Sequence, residues 1–254
     1  MNKKTYFDNT GLLILIYVCL ATFSMTWIGY LQNTIQVKPL IQHISLILLY
    51  VAFCELWQIM LKFMYHKNKQ FAWNIFYLKT IISYVLITIL TFQTSFKVFL
   101  LLTIYEFYQF LLYRNSLHYI ENIFYPLSTG LIKGLLFNIL LSISQPYILN
   151  NQEIENLIIP IALFLIVGRI EQQLYQVVNK QETFNLTFII YYLFFFIVLL
   201  LSVFTSYINL LQLIITLALT IGYFYLIKLD HLNILQQNTI LMLYVALTIL
   251  TVTF

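Results

Sequence analysis

Long apolar runs separated by short polar clusters make up almost the whole chain. A run needs about 20 predominantly apolar residues to cross the hydrocarbon core of a bilayer as an α-helix. By that measure the sequence predicts nine spans, at 10–30, 40–64, 72–92, 97–113, 117–143, 155–177, 184–206, 208–228 and 236–254. The clusters between them suit helix ends at an interface: Lys38-Pro39, His66 to Gln70, Gln145-Pro146 with Asn150 to Gln152, and Asn179 to Glu182. The gaps leave no room for a second domain, so residues 1–254 read as a single integral membrane domain. Lys3 and Lys4 precede the first run as in a secretion signal, but that run lacks a small-x-small cleavage pattern. It is therefore expected to stay as the first transmembrane helix.

Composition sharpens this all-α, polytopic picture. Apolar residues make up 61% of the chain and charged ones 9%, with a mean hydropathy of +0.88. A soluble domain carries roughly 25% charged residues to solvate its surface, so the solvent here is lipid. The formal charge of +4 is spread thinly, which excludes a basic nucleic-acid face. Cys19 and Cys54 lie inside apolar runs, and the histidines have no metal-ligand spacing, so no metal site is expected. The bias towards Phe, Tyr, Ile, Leu, Asn and Gln fits an AT-rich genome. It points to a bacterial plasma membrane or an organellar inner membrane.

Basic residues in short loops mark the inner side of a membrane protein. With nine spans, seven such residues fall on the side of the N-terminus (Lys3, Lys4, Lys67, Lys69, Arg114, Lys180 and Lys228) and two on the other (Lys38 and Lys97). The N-terminus is thus expected inside and the C-terminus outside.

An ionisable group at membrane depth is costly unless paired or hydrated, so each is a functional candidate. These are Glu55, Lys79, Glu106, Glu121, Lys133, Arg169 and Glu171. Counting residues from the inner helix ends puts all but Lys133 in the inner half, with Glu55 and Lys79 at equal depth and placed to pair. Arg169, Gln172, Gln173 and Gln176 recur at i, i+3, i+4 and i+7 in span six, and Glu55, Gln58 and Lys62 at i, i+3 and i+7 in span two. Two polar stripes at inner helix ends predict a cavity opening to the cytoplasm, with Lys79, Glu106 and Arg114 beside it. The alternative is that these charges form buried pairs that fix helix register. Gly130-x-x-x-Gly134 is expected to pack closely against a neighbour, and Pro126 to kink its span.

Nine spans, an inner N-terminus, and the segments Glu55-Leu56-Trp57-Gln58 to Lys62 and Arg169-Ile170-Glu171-Gln172-Gln173 resemble the UbiA-type intramembrane prenyltransferases. Tyr113-Arg114-Asn115-Ser116-Leu117-His118 is similar to that family's basic connection after helix four. The resemblance implies an isoprenyl diphosphate held by Mg²⁺ at the inner ends of helices two and six, with its tail in the bundle. The family's aspartate-rich motifs have no counterpart, since the only aspartates are Asp8 and Asp230. The resemblance therefore implies a degenerate relative that binds an isoprenoid or other lipid without the usual transfer. The competing expectations are a non-catalytic subunit packed against partner membrane subunits, for example in an organellar respiratory complex, and a small transporter, export or immunity protein.

Overall fold

A computed structural model describes residues 3–36, 41–67, 69, 71–143, 157–175, 186–227 and 232–254. Nine helices run through these described residues, and the chain is an all-α polytopic membrane bundle. They are α1 (Lys3–Gln36), α2 (Ile41–His66), α3 (Trp73–Gln93) and α4 (Phe96–Tyr113), then α5, which runs as Phe124–Thr129, a π-helical Gly130–Leu136 and Phe137–Ile143. The last four are α6 (Ile158–Tyr175), α7 (Leu186–Phe204), α8 (Leu210–Ile227) and α9 (Ile234–Thr253). Eight are long and apolar enough to cross a membrane, and the ninth, α7, carries the shorter apolar stretch Ile189–Phe204. Gln176 and the clusters holding Lys38, Lys180 and Lys228 lie outside the described residues.

α1, α5 and α6 form the spine. α1 packs along α9 and against α2 and the last turns of α5, while α6 is clasped between α5 and α7. In α6, 72% of the span is buried, against 17% in α8, so α6 is core and α8 is rim. The rim helices expose Leu78, Ile81, Val85, Ile214, Ile221 and Leu226. In water such faces would drive aggregation; against lipid tails they are matched.

Small residues set the closest approach. A Cβ on Gly134 would lie 2.6 Å from the Pro160 carbonyl oxygen, and one on Gly29 would lie 2.5 Å from that of Asn138. Gly134 thus lets α5 meet α6, and Gly29 lets α1 meet α5, as small residues do between membrane helices. Asn138 stitches the second contact: its Oδ1 accepts from the Gly29 N–H at 2.8 Å, and its Nδ2 donates to the Gly134 carbonyl at 2.8 Å. Those bonds serve backbone groups beside the wide turn, where side chains often complete an interrupted ladder.

The fifth span differs from expectation at its start. Residues 117–123 are not α-helix; short 3₁₀ turns at Asn115–Leu117 and Tyr119–Glu121 precede Phe124, joined through His118 in a left-handed conformation (φ 44°). Pro126 sits in the first turn of α5, where its missing N–H costs nothing, and so helps to start the helix rather than kink it. The 3–4 connection is tight, at 94–95, while the 7–8 connection takes five residues, 205–209, where the predicted spans leave one.

Candidate functional site: a ladder of buried ion pairs

Glu55, Gln58 and Lys62 follow α2 at helical spacing and all are fully buried. Each finds its partner on a different helix. Lys133 Nζ from α5 donates to Glu55 Oε2 at 2.7 Å, and the Tyr105 hydroxyl from α4 donates to Glu55 Oε1 at 2.9 Å. Gln58 Nε2 donates to the Tyr105 hydroxyl oxygen at 3.0 Å. Lys62 Nζ donates to Glu171 Oε1 of α6 at 2.5 Å, and the Tyr125 hydroxyl donates to Glu171 Oε2, also at 2.5 Å.

A third pair stands to one side. Lys79 Nζ of α3 donates to Glu106 Oε2 of α4 at 2.6 Å, and the Tyr50 hydroxyl of α2 donates to Glu106 Oε1 at 2.7 Å. Among the described residues each of these three buried carboxylates therefore accepts from one ammonium and one phenol, and Glu106 also from the Cys54 thiol at 3.7 Å. Taking such ions out of water is repaid only when their hydrogen-bonding capacity is filled in this way.

Two expected relationships are corrected. Glu55 and Lys79 do not pair: α3 lies against α4, so Lys79 reaches Glu106, while Glu55 faces inward to α5. Lys133 is not a lone charge in the outer half. Glu55 lies near the middle of Ile44–Tyr65 and Lys133 near the middle of Phe124–Leu141, so the two meet at mid-bundle. The π-helical segment that carries Lys133 turns the side chains beyond it relative to an α-helical continuation, a feature frequent at functional sites.

The polar stripe of α6 divides into two faces. Glu171 turns to Lys62, while Arg169 Nη1 donates to Gln172 Oε1 at 2.6 Å, and Gln172 Nε2 donates to the Asn122 carbonyl at 3.2 Å. Gln173 is half-buried, and Gln176 lies outside the described residues. Arg114 is exposed at the end of α4. Glu121, expected inside span five, sits instead in the second 3₁₀ turn, where it accepts from the Tyr65 hydroxyl at 2.7 Å. Beside it, burial raises the Tyr119 phenol above its ordinary range, while the bond to Ser128 Oγ acts the other way.

Sequence reasoning missed the tyrosines. Tyr50, Tyr65, Tyr105 and Tyr125 each hold a carboxylate, yet nothing distinguishes them among 20 tyrosines in the chain. It also missed Tyr17 of α1, fully buried within electrostatic reach of Glu171, Glu55 and Tyr108. Gln109, one turn beyond Tyr105, is likewise fully buried.

This donor set does not fit Mg²⁺. The ion wants several hard oxygen ligands in near-octahedral geometry. Here Glu55, Glu106 and Glu171 belong to three separate pairs, each already beside an ammonium. Among the described residues no three His, Cys, Asp or Glu side chains gather. Away from the ladder, α1 and α2 enclose an apolar groove of about 680 Å³, lined by Val18, Thr22, Trp27, Ile44, Leu48 and Ala52 among others. Comparison of the chain with family models, with curated proteins and with solved structures finds no match.

Proposed function

We propose that this integral membrane protein binds a lipid without transforming it, with one long apolar chain, isoprenoid or acyl, lying in the α1–α2 groove. The groove carries the reading: its 680 Å³ falls within the roughly 300–1,000 Å³ typical of ligand sites, and its walls are aliphatic and aromatic. The Lys62–Glu171 contact joins helices two and six, which supports a degenerate UbiA-type arrangement. The matched charges support binding over diphosphate chemistry, since Glu55, Glu106 and Glu171 are each already held by an ammonium. The bias of seven basic loop residues against two supports an inner N-terminus in a bacterial plasma membrane or organellar inner membrane.

The test is native mass spectrometry of the chain released from nanodiscs. The wild type is expected to retain lipid of defined mass, and Ala52→Trp, which fills the groove, to lose it. Retention by Ala52→Trp, or wild-type carriage of only the bulk lipid mixture, refutes the assignment.

A second reading, as a subunit of a larger membrane assembly, draws on one observation. The groove between α8 and α9, about 390 Å³, includes Tyr223, whose buried hydroxyl bonds nothing among the described residues. A partner helix would cover that face, and crosslinking through Gly222→Cys in native membranes distinguishes a defined adduct from none.

A further inference from the structure

The α1–α2 groove occupies only one half of the bundle. On α1 its lining runs from Val18 to Tyr30, twelve residues further on, or roughly 18 Å along the helix axis. On α2 it runs from Ile44 to Ala52. Val18 lies near the middle of the span Thr10–Leu31 and Tyr30 near its end; Ile44 begins the span Ile44–Tyr65, and Ala52 lies near its middle. The groove therefore starts at the end of the bundle where α1 leads into α2, and it stops at mid-bilayer. Half of a ~30 Å hydrocarbon core is about 15 Å, so the groove is one leaflet deep.

Its shape follows from the side chains. Cys19, Thr22 and Thr26 recur at i, i+3 and i+7 on α1, and Ser45 and Ala52 stand seven residues apart on α2, so small residues line both walls. Thr26 turns its hydroxyl back to the Thr22 carbonyl at 2.7 Å and leaves its methyl group for the wall. The two ends differ. At the α1–α2 connection end Phe23 and Tyr30 flank Trp27, with ring centroids 4.7 and 5.9 Å from it, and Trp27 Nε1 donates to Thr253 Oγ1 at 3.2 Å. Such amphipathic rings sit at head-group level. The deep end, at Val18 and Ala52, is aliphatic. None of the described lining residues is charged, and the charges of α2, Glu55 and Lys62, lie in its other half.

We propose, on the reading of this groove as a lipid site, that its occupant is one acyl chain of a lipid from the leaflet on the side of the α1–α2 connection. Cys19 and Leu49, in its walls, are exposed within apolar spans, so what lies against its open side is hydrocarbon of that leaflet. The ester end of the chain lies beside Trp27 and Tyr30, and its methyl end stops at Val18 and Ala52. The head group stays in the head-group layer, because the groove offers it no charge. A polyprenyl chain longer than one leaflet does not fit, because the lining ends at mid-bilayer. The bias of basic loop residues makes this the outer leaflet.

The experiment is photocrosslinking of the full chain in vesicles of one orientation. Phosphatidylcholine with a diazirine midway along one chain is placed in a single leaflet. Adducts are mapped by mass spectrometry at Thr26 and Leu48 in the groove, and at the exposed Ile81 and Val85 of α3 as a bulk-lipid control. From the leaflet on the α1–α2 connection side, the groove is expected to be marked above the control, and Ala52→Trp to lose that excess. From the opposite leaflet only the control should be marked. Excess from the opposite leaflet alone, or equally from both, overturns the leaflet assignment and leaves the lipid site standing. No excess from either leaflet overturns the lipid site itself. Excess that Ala52→Trp keeps puts the chain outside the groove and overturns the proposal; if that variant does not fold, the wild-type comparison between leaflets still decides.

Discussion

Replacing Lys62 with Met leaves Glu171 fully buried with Tyr125 still donating to it but without the ammonium that contacts it directly. Breaking a buried pair by removing one partner costs about 3–5 kcal/mol. Glu171→Leu, which strands the Lys62 ammonium, should cost about the same, since both side chains are completely shielded. Additive behaviour would put the double variant at about 6–10 kcal/mol of loss. The geometry predicts otherwise. Lys62→Met with Glu171→Leu replaces two desolvated ions by apolar groups of similar bulk, which ranges from neutral to about 1–4 kcal/mol stabilising. The assay is a double-mutant cycle on the chain in mixed micelles, unfolded by increasing anionic detergent and followed by helical circular dichroism. Single-variant losses below about 1 kcal/mol, the size expected of an exposed pair, would refute the burial and the pairing.

Gly134→Ala should lower stability by about 1–3 kcal/mol, because its Cβ meets the Pro160–Ile161 backbone, which has no flexible end to move aside. Gly222→Ala, with nothing within 4 Å, should be neutral in the same detergent titration. Asn233→Ala should cost about 1 kcal/mol by removing the capping box that Asn233 and Gln236 form at the start of α9, again read from the unfolding midpoint. Asn138→Leu should expose the Gly29 N–H and Gly134 carbonyl to an apolar interface; about 1–3 kcal/mol of loss is expected, with faster amide exchange at Gly29.

Helix positions were legible because lipid imposes a single rule on every segment. The span predicted at 72–92 is Trp73–Gln93, that at 97–113 is Phe96–Tyr113, and that at 236–254 is Ile234–Thr253. The rule fails where hydropathy and local chemistry diverge. Residues 117–123 are apolar enough to extend a span, yet His118 adopts a left-handed turn and Pro126 starts the next helix. The buried charges were legible as a set, because so few interrupt the apolar runs. Their pairing was not. Sequence depth put Glu55 beside Lys79, but which face of α2 meets which helix depends on long-range packing, set partly by Gly29 and Gly134 and by a π-helical turn that shifts the register around Lys133. The phenols that complete each carboxylate were hidden for a different reason: a tyrosine facing lipid and one bonding Glu171 are the same letter.

The partner map is the centre of this account, and exchanging charges tests it most directly. Glu55→Lys alone should prevent stable folding, since it sets two ammonium groups, at 55 and 133, together in a fully buried space. Adding Lys133→Glu restores one cation and one anion at the same place, and the detergent-unfolding midpoint should recover most of the way to wild type. Adding Lys79→Glu instead should rescue nothing, because Lys79 belongs to Glu106. Rescue by the change at Lys79 and none by the change at Lys133 would contradict the ladder of ion pairs.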